Sequence, residues 1–331
     1  MAEEPKNRRR TGRTPWLKIA RAVPLSFDAR KVVLGAVALI LIQAGSLVLD
    51  RIAPGAFWGE PSLLDVEERP GAAVIPGAPR FNLAVGQVAE PVHVFTGPLL
   101  RLLPFNRGIA ETTRAALELL WAVVVMGIFG GAISRGAVAE LARGDRTTLG
   151  KSLGFARRSA RSLIATPLFP IAAATFCVLL CALIGLLYSV PVVGGALAAV
   201  LLFIPLGLGF VAALLLIELV AALPLIHASI AADAESSPDA LTRAFGCVNR
   251  RPVQFVACVA AAWLMGAAAL VVVDFLARMT LYMAARGLEF TAPSAIVAGL
   301  LGRGAEVAPF LWVKVVRLLV HGWIYGYYWS A

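Results

Sequence analysis

The sequence is short of charge. Asp, Glu, Lys and Arg make up 15% of its 331 residues, where soluble domains carry about 25%. Apolar residues reach 59% and mean hydropathy is +0.81. A soluble core of this size has no room for so much apolar side chain. A water-soluble globular class is therefore excluded, and lipid is the expected solvent. Histidine is scarce: His93, His227 and His321 fall in three separate stretches. Cysteine is limited to Cys177, Cys181, Cys247 and Cys258. None lies in an expected outer loop, which leaves no disulfide framework.

Catalytic signatures are missing as well. No H-E-x-x-H, G-x-S-x-G or paired-carboxylate cluster occurs, so neither enzymatic activity nor a cofactor or metal is expected. Cys177 and Cys181 share a helix face, but no His or acid is near them in sequence; they read as small apolar residues at a helix interface rather than a soft-metal pair. The stretch Gly144–Ser152 resembles a phosphate-binding loop. It has five residues between Gly144 and Gly150, one more than that loop allows, and it follows an apolar helical run rather than a strand. It reads as a polar turn that starts a cytoplasmic helix, with Asp145 or Thr147 as cap.

What the sequence does have is long uncharged runs. A helix crosses a hydrocarbon core of ~30 Å with about 20 residues. Val32–Leu49 and Ala115–Ile133 fit, the second broken only by Glu118. From Ser162 to Ile217 there are 56 residues without charge, enough for two spans with a turn at Pro191–Gly195. These spans are expected at Leu163–Tyr188 and Ala196–Ala222. Val253–Val273 is the fifth, and Val307–Trp329, with Lys314, Arg317 and His321, the sixth. The expected fold class is all-α, a polytopic transmembrane bundle of about six spans with amphipathic cytoplasmic linker helices. Its parts are a basic leader over 1–31, in which Trp16–Arg30 follows the membrane surface, and a helical domain over 32–331.

The formal net charge of +10 concentrates beside the spans. Nine basic residues precede Val32, and Ser134–Ser162 carries seven against two acids. The outer loop, 50–114, carries six basic residues against seven acidic. By the positive-inside rule both termini are expected in the cytoplasm. Val32–Leu49 reads as an uncleaved span, since signal-peptide apolar cores are shorter. The charge thus points to anionic lipid headgroups, not nucleic acid. The outer loop holds eight prolines. Its middle, Glu67–Pro91, reads as extended chain, and Phe57 and Trp58 as an interfacial anchor. Val94–Phe105 is apolar but too short to span, which suits a membrane-surface or partly re-entrant piece.

Two cytoplasmic segments resemble each other. Leu149–Ala165 aligns without gaps to Leu241–Ala257, with identities at Leu149/Leu241, Gly154/Gly246, Arg158/Arg250 and Ala165/Ala257. Each joins a short amphipathic helix to a basic cluster and then to a new span. Arg157, Arg158 and Arg161 in one, and Arg243, Arg250 and Arg251 in the other, are candidate headgroup contacts. Leu149, Leu153 and Ala156 are expected to share an apolar stripe. Gly127 and Gly131 make a small-xxx-small surface for helix packing. Glu218, Lys314 and Arg317 are intramembrane charges and so candidates for a transport path. Glu218 is expected near the inner boundary with Arg135, Arg243 or Arg250 as partner, and Glu118 beside Arg114.

GGAISR (130–135), SLGFARRSARSLIATPLFP (152–170), SSPDALTRAFGCVNRRPVQF (236–255) and RLLVHGWIYGYYWSA (317–331) resemble an uncharacterised family of bacterial, planctomycete-like polytopic membrane proteins, over about Leu119 to the end. Members carry aromatics where Cys247 and Val253 stand. The resemblance implies a multi-pass helical protein of a bacterial inner membrane and transfers no catalytic residue. The expected function is that of a non-enzymatic assembly or lipid-interacting membrane subunit, with membrane-protein partners. The alternative is a transporter or permease using the charges of spans four and six.

Overall fold

The computed structural model describes residues 22–52, 86–102, 108–144, 146–186, 201–233, 236–288, 290 and 308–331. It is an all-α bundle. Helix α1 is Ala22–Ser26, α2 Ala29–Ile52, α3 Glu90–Leu102, α4 Ile109–Arg143 and α5 Leu149–Arg158. They are followed by α6 Ala160–Gly185, α7 Phe203–Asp233, α8 Ser237–Arg250, α9 Pro252–Leu288 and α10 Ala308–Ser330. Helices α2, α4, α6, α7 and α9 are long and apolar enough to cross a membrane. In hydrocarbon a single span must satisfy its backbone polar groups internally, which only a helix does. With α10, of 23 residues, the protein is a multi-pass membrane bundle of about six spans.

Several helices outrun the expected spans. Helix α4 has 35 residues and α9 has 37, about 52 and 55 Å long at 1.5 Å per residue. The expectation stopped each span at the first charges. A helix need not stop there, because water and headgroups solvate its side chains while the backbone ladder continues. Helix α7 starts at Phe203 and runs to Asp233 through Pro224, later than expected at both ends. The expected turn at Pro191–Gly195, the leader up to residue 21, Phe57 and Trp58 lie outside the described residues.

Close helix contacts are made over small residues. Helices α2 and α10 run antiparallel, with Gly35 against the Gly322 backbone and Gly326 against Lys31. Gly127 and Gly131 of α4 take Leu163 of α6: a Cβ on Gly131 would lie 2.6 Å from the Leu163 side chain. The small-xxx-small surface therefore serves packing within this chain. Helices α6 and α7 form a hairpin in which the Cys181 thiol donates to the Pro205 carbonyl at 3.5 Å. Leu39, Ile133, Leu163, Leu219, Ile226, Tyr325 and Trp329 build the main core. Outward, Phe169, Phe176, Phe203 and Phe210 are each at least 60% exposed. A band of large apolar side chains like this suits acyl chains and would be a liability in water.

Helix α3 fills a place the sequence left between two options. Phe95 and Leu99 are buried in the main core. Just before the helix, Val88 packs with Trp323, Ile324 and Tyr327 of α10 and with Ala267 and Leu270 of α9. At the far end Arg101 reaches Glu118 at 2.8 Å. The segment thus runs through the bundle from the last turns of α10 to the start of α4. Gly86–Pro91 is helical rather than extended, because it buries Val88 and Pro91.

Candidate functional site: an arginine-rimmed cleft at the basic end of the bundle

The basic segments gather at one end of the bundle. Lys31, 4% exposed, donates to the Leu25 carbonyl at 2.9 Å and to Glu140 at 3.0 Å. Arg30 donates to the Thr147 carbonyl at 2.7 Å. Arg135 donates to the Ala231 carbonyl at 2.6 Å and lies 5.0 Å over the Phe155 ring. These bonds tie the start of α2, the end of α4, α5 and the end of α7 together. At the opposite end Glu118 accepts from Arg101 and from Arg114, at 2.8 and 2.9 Å. Glu118 is therefore a clamp between α3 and α4, with one partner more than its own helix supplies.

The two aligned segments fold alike. Helix α5 ends at Arg158 and α6 starts at Ala160; α8 ends at Arg250 and α9 starts at Pro252. Both breaks fall on aligned residues. In the second unit Pro252 imposes the break, since the residue before a proline avoids helical angles, and Arg251 sits at φ −144°, ψ 67°. Arg157, Arg158 and Arg161 stand exposed on the first corner, Arg250 and Arg251 on the second. The apolar stripe of α5 differs from expectation. Ser152 and Ala156 are the buried pair, while Leu149 and Leu153 are 39% and 40% exposed. Contact with the bundle selects the smaller side chains and leaves both leucines on the outer face. The cap of α5 is Thr148, without a side-chain bond; the Thr147 hydroxyl instead meets that of Ser152 at 3.0 Å.

Between α7, α8 and α9 lies an open cleft of about 930 Å³. Arg243, Arg250 and Arg251 stand on its rim, and Leu225, Phe255 and Cys258 line it on the apolar side. Asp239, Thr242, Gly246, Cys247 and Gln254 complete the lining. Helix α8 is fixed over it at both ends: Ser237 meets Ser162 of α6 at 3.2 Å, and the Asn249 amide donates to Glu218 of α7 at 2.9 Å. The sequence expected an arginine on Glu218. The structure instead gives it Asn249, because Arg243 is committed to Asp233 and Arg135 to α7. Arg251 donates to Gln254 at 3.4 Å. Arg250 makes no ion pair among the described residues, although Asp239 lines the same cleft. A guanidinium binds phosphate oxygens in pairs, and the apolar lining suits hydrocarbon. The cleft can accordingly hold an anionic head and the start of a chain.

Lys314 and Arg317 lie within α10, and their side chains are outside the described residues. Glu218 does not meet the Lys314–Arg317 stretch: its described partner is at the basic end of the bundle. His227 is buried, its Nδ1 bonds the Leu223 carbonyl at 2.8 Å, and its ring meets Trp329 at 4.3 Å. His321 stands 3.2 Å from Glu90 of α3, a pairing the sequence reading missed. Among the described residues no group of three or more His, Cys, Asp and Glu side chains is placed to hold a metal. No family model, no curated protein and no solved structure matches the chain.

Proposed function

We propose that this is a bacterial cytoplasmic-membrane protein, both termini inside, that holds anionic phospholipid at its basic end as a lipid-interacting or assembly subunit. The observation that carries the reading is the cleft: Arg250 and Arg251 stand at the corner where α8 meets a span, and Arg243, paired with Asp233, lines the same cleft two turns earlier, together with apolar side chains. Each cation near an anionic surface contributes about 1 kcal/mol, and a guanidinium pair adds directed hydrogen bonds. The gathering of Arg30, Lys31, Arg135, Arg157, Arg158 and Arg161 at the same end supports the inward orientation of that end. Membrane-protein partners would meet the same surface.

Cys247 and Cys258 line the cleft and provide a reporter. In detergent, phosphatidylglycerol is expected to slow maleimide labelling of Cys247 several-fold, and phosphatidylcholine to leave it unchanged. Equal protection by both lipids would refute a headgroup site. The alternative, a transporter or permease, would need a deep aqueous cavity that reaches Glu218, whose described partner is Asn249.

A further inference from the structure

A second polar pocket shares no lining residue with the cleft. It lies where α2, α4 and α5 meet, with Lys31, Gly136, Glu140, Thr147 and Ser152 around it. It gives the centre of a water molecule about 10 Å³ of room, which is about what one water needs. Gly136 marks the spot. A Cβ there would lie 3.6 Å from Lys31 Cε, 3.6 Å from Thr147 Oγ1 and 3.8 Å from Ser152 Oγ. Polar side chains from α2, from the turn before α5 and from α5 thus surround one point beside α4. Hydrogen-bond capacity is left over at that point. The Lys31 ammonium has three donors. The Leu25 carbonyl and Glu140 take two of them, and no described residue accepts the third. Thr147 and Ser152 share one hydrogen bond at 3.0 Å, so one of their two hydroxyl protons has no acceptor among the described residues. Lys31 and Ser152 are each 4% exposed. Polar groups buried to that degree are satisfied in the great majority of cases, and a charged donor left unmade is costly. The Glu140 carboxylate accepts from Lys31 and pairs loosely with Arg146 at 3.8 Å, which leaves it lone pairs to spare.

We propose that this pocket is a binding site for one ordered water, held as a structural ligand between α2, α4 and α5. The water accepts from the Lys31 ammonium and from the Thr147–Ser152 hydroxyl pair, and it donates to the Glu140 carboxylate. Three bonds are the usual number for a buried water, and a bridge of this kind is nearly as good as a direct hydrogen bond. Other occupants do not suit the place. A lipid headgroup is far larger than the space, a bare cation would face the Lys31 ammonium, and a halide would face the Glu140 carboxylate. The water completes the joint between the start of α2 and the linker helix α5. It thereby fixes the helix that carries Arg157 and Arg158 to their exposed corner.

The test is Gly136→Ala in the full chain, melted in one detergent beside the parent. The added methyl meets nothing closer than 3.6 Å, an ordinary van der Waals distance, so strain does not set the outcome. In a dry pocket the methyl fills space and alanine is the better helix former. The midpoint would then rise, as it should in Gly154→Ala, where a Cβ meets nothing within 4 Å. In a pocket that holds water the methyl evicts it and strands the Lys31 donor and the hydroxyl pair. The midpoint is then expected to fall below the parent's by roughly 2–4 °C. On a Ser152→Ala background the fall is expected to shrink, because one of the stranded groups is gone. A cryo-electron-microscopy map of the parent in a lipid nanodisc, fine enough to show ordered water, is expected to carry a peak within hydrogen-bond distance of Lys31 Nζ and Ser152 Oγ. A midpoint of Gly136→Ala at or above the parent's overturns the proposal. So does an equal fall on both backgrounds, or a parent map with no peak at that point.

Discussion

Replacing Gly322 by alanine tests the packing that makes α10 a member of the bundle. A Cβ there would lie 2.6 Å from the Val32 carbonyl oxygen and 3.0 Å from both the backbone nitrogen and the Cβ of Ala36. Two of these neighbours are backbone atoms of α2, which cannot rotate away. Relief requires α2 and α10 to separate, and forced overpacking of this kind costs about 1–3 kcal/mol. Removing a glycine from a helix interior returns about 1 kcal/mol, so the net effect is a loss of up to about 2 kcal/mol. Gly154 of α5 supplies the control, because a Cβ there meets nothing within 4 Å and only the propensity gain is left. Thermal unfolding of both alanine variants in one detergent, followed by fluorescence size-exclusion, should place Gly322→Ala below the parent and Gly154→Ala at or above it. If Gly322→Ala is as stable as Gly154→Ala, the α2–α10 contact is looser than described and the packing argument fails.

Other substitutions probe the basic end. Lys31→Met removes a donor from half-buried Glu140 and from the Leu25 carbonyl; breaking a fully buried pair costs about 3–5 kcal/mol, and the partial exposure of Glu140 puts the expected loss in unfolding experiments at the lower end. A reporter fused after Gly144 should give a cytoplasmic signal, and a periplasmic one would overturn the orientation. Lipid retention by the cleft should fall as salt is raised from low to physiological strength, because exposed charges are screened over about 8 Å at 0.15 M. Neutralising Arg157, Arg158 and Arg161, which stand on an exposed corner, should lower lipid retention less than neutralising the three cleft arginines.

The class and the approximate number of spans were legible because apolar length alone decides them. Their ends were not. Charges such as Arg135 and Glu140 mark where lipid gives way to headgroups, whereas α4 continues to Arg143 because its hydrogen-bond ladder is indifferent to that boundary. The six basic candidates were legible from their place beside spans. That Arg243, Arg250 and Arg251 share one cleft was not, since it depends on how α8 lies across α7. Glu218 was assigned an arginine on grounds of charge, and a shorter polar neighbour, Asn249, took the position by geometry. The Glu90–His321 pair was hidden by sequence distance. Its available signals were modest: an acid directly ahead of the short apolar segment, and a histidine inside the sixth span.

The central claim is that the cleft between α7, α8 and α9 selects anionic lipid. Purification of the full chain from membranes in mild detergent, followed by native mass spectrometry, reads this directly. Phosphatidylglycerol or cardiolipin should remain bound to the parent and be lost from the variant Arg243→Gln/Arg250→Gln/Arg251→Gln, while the variant keeps the parent's elution profile. Unchanged anionic-lipid adducts on that folded variant would contradict the account.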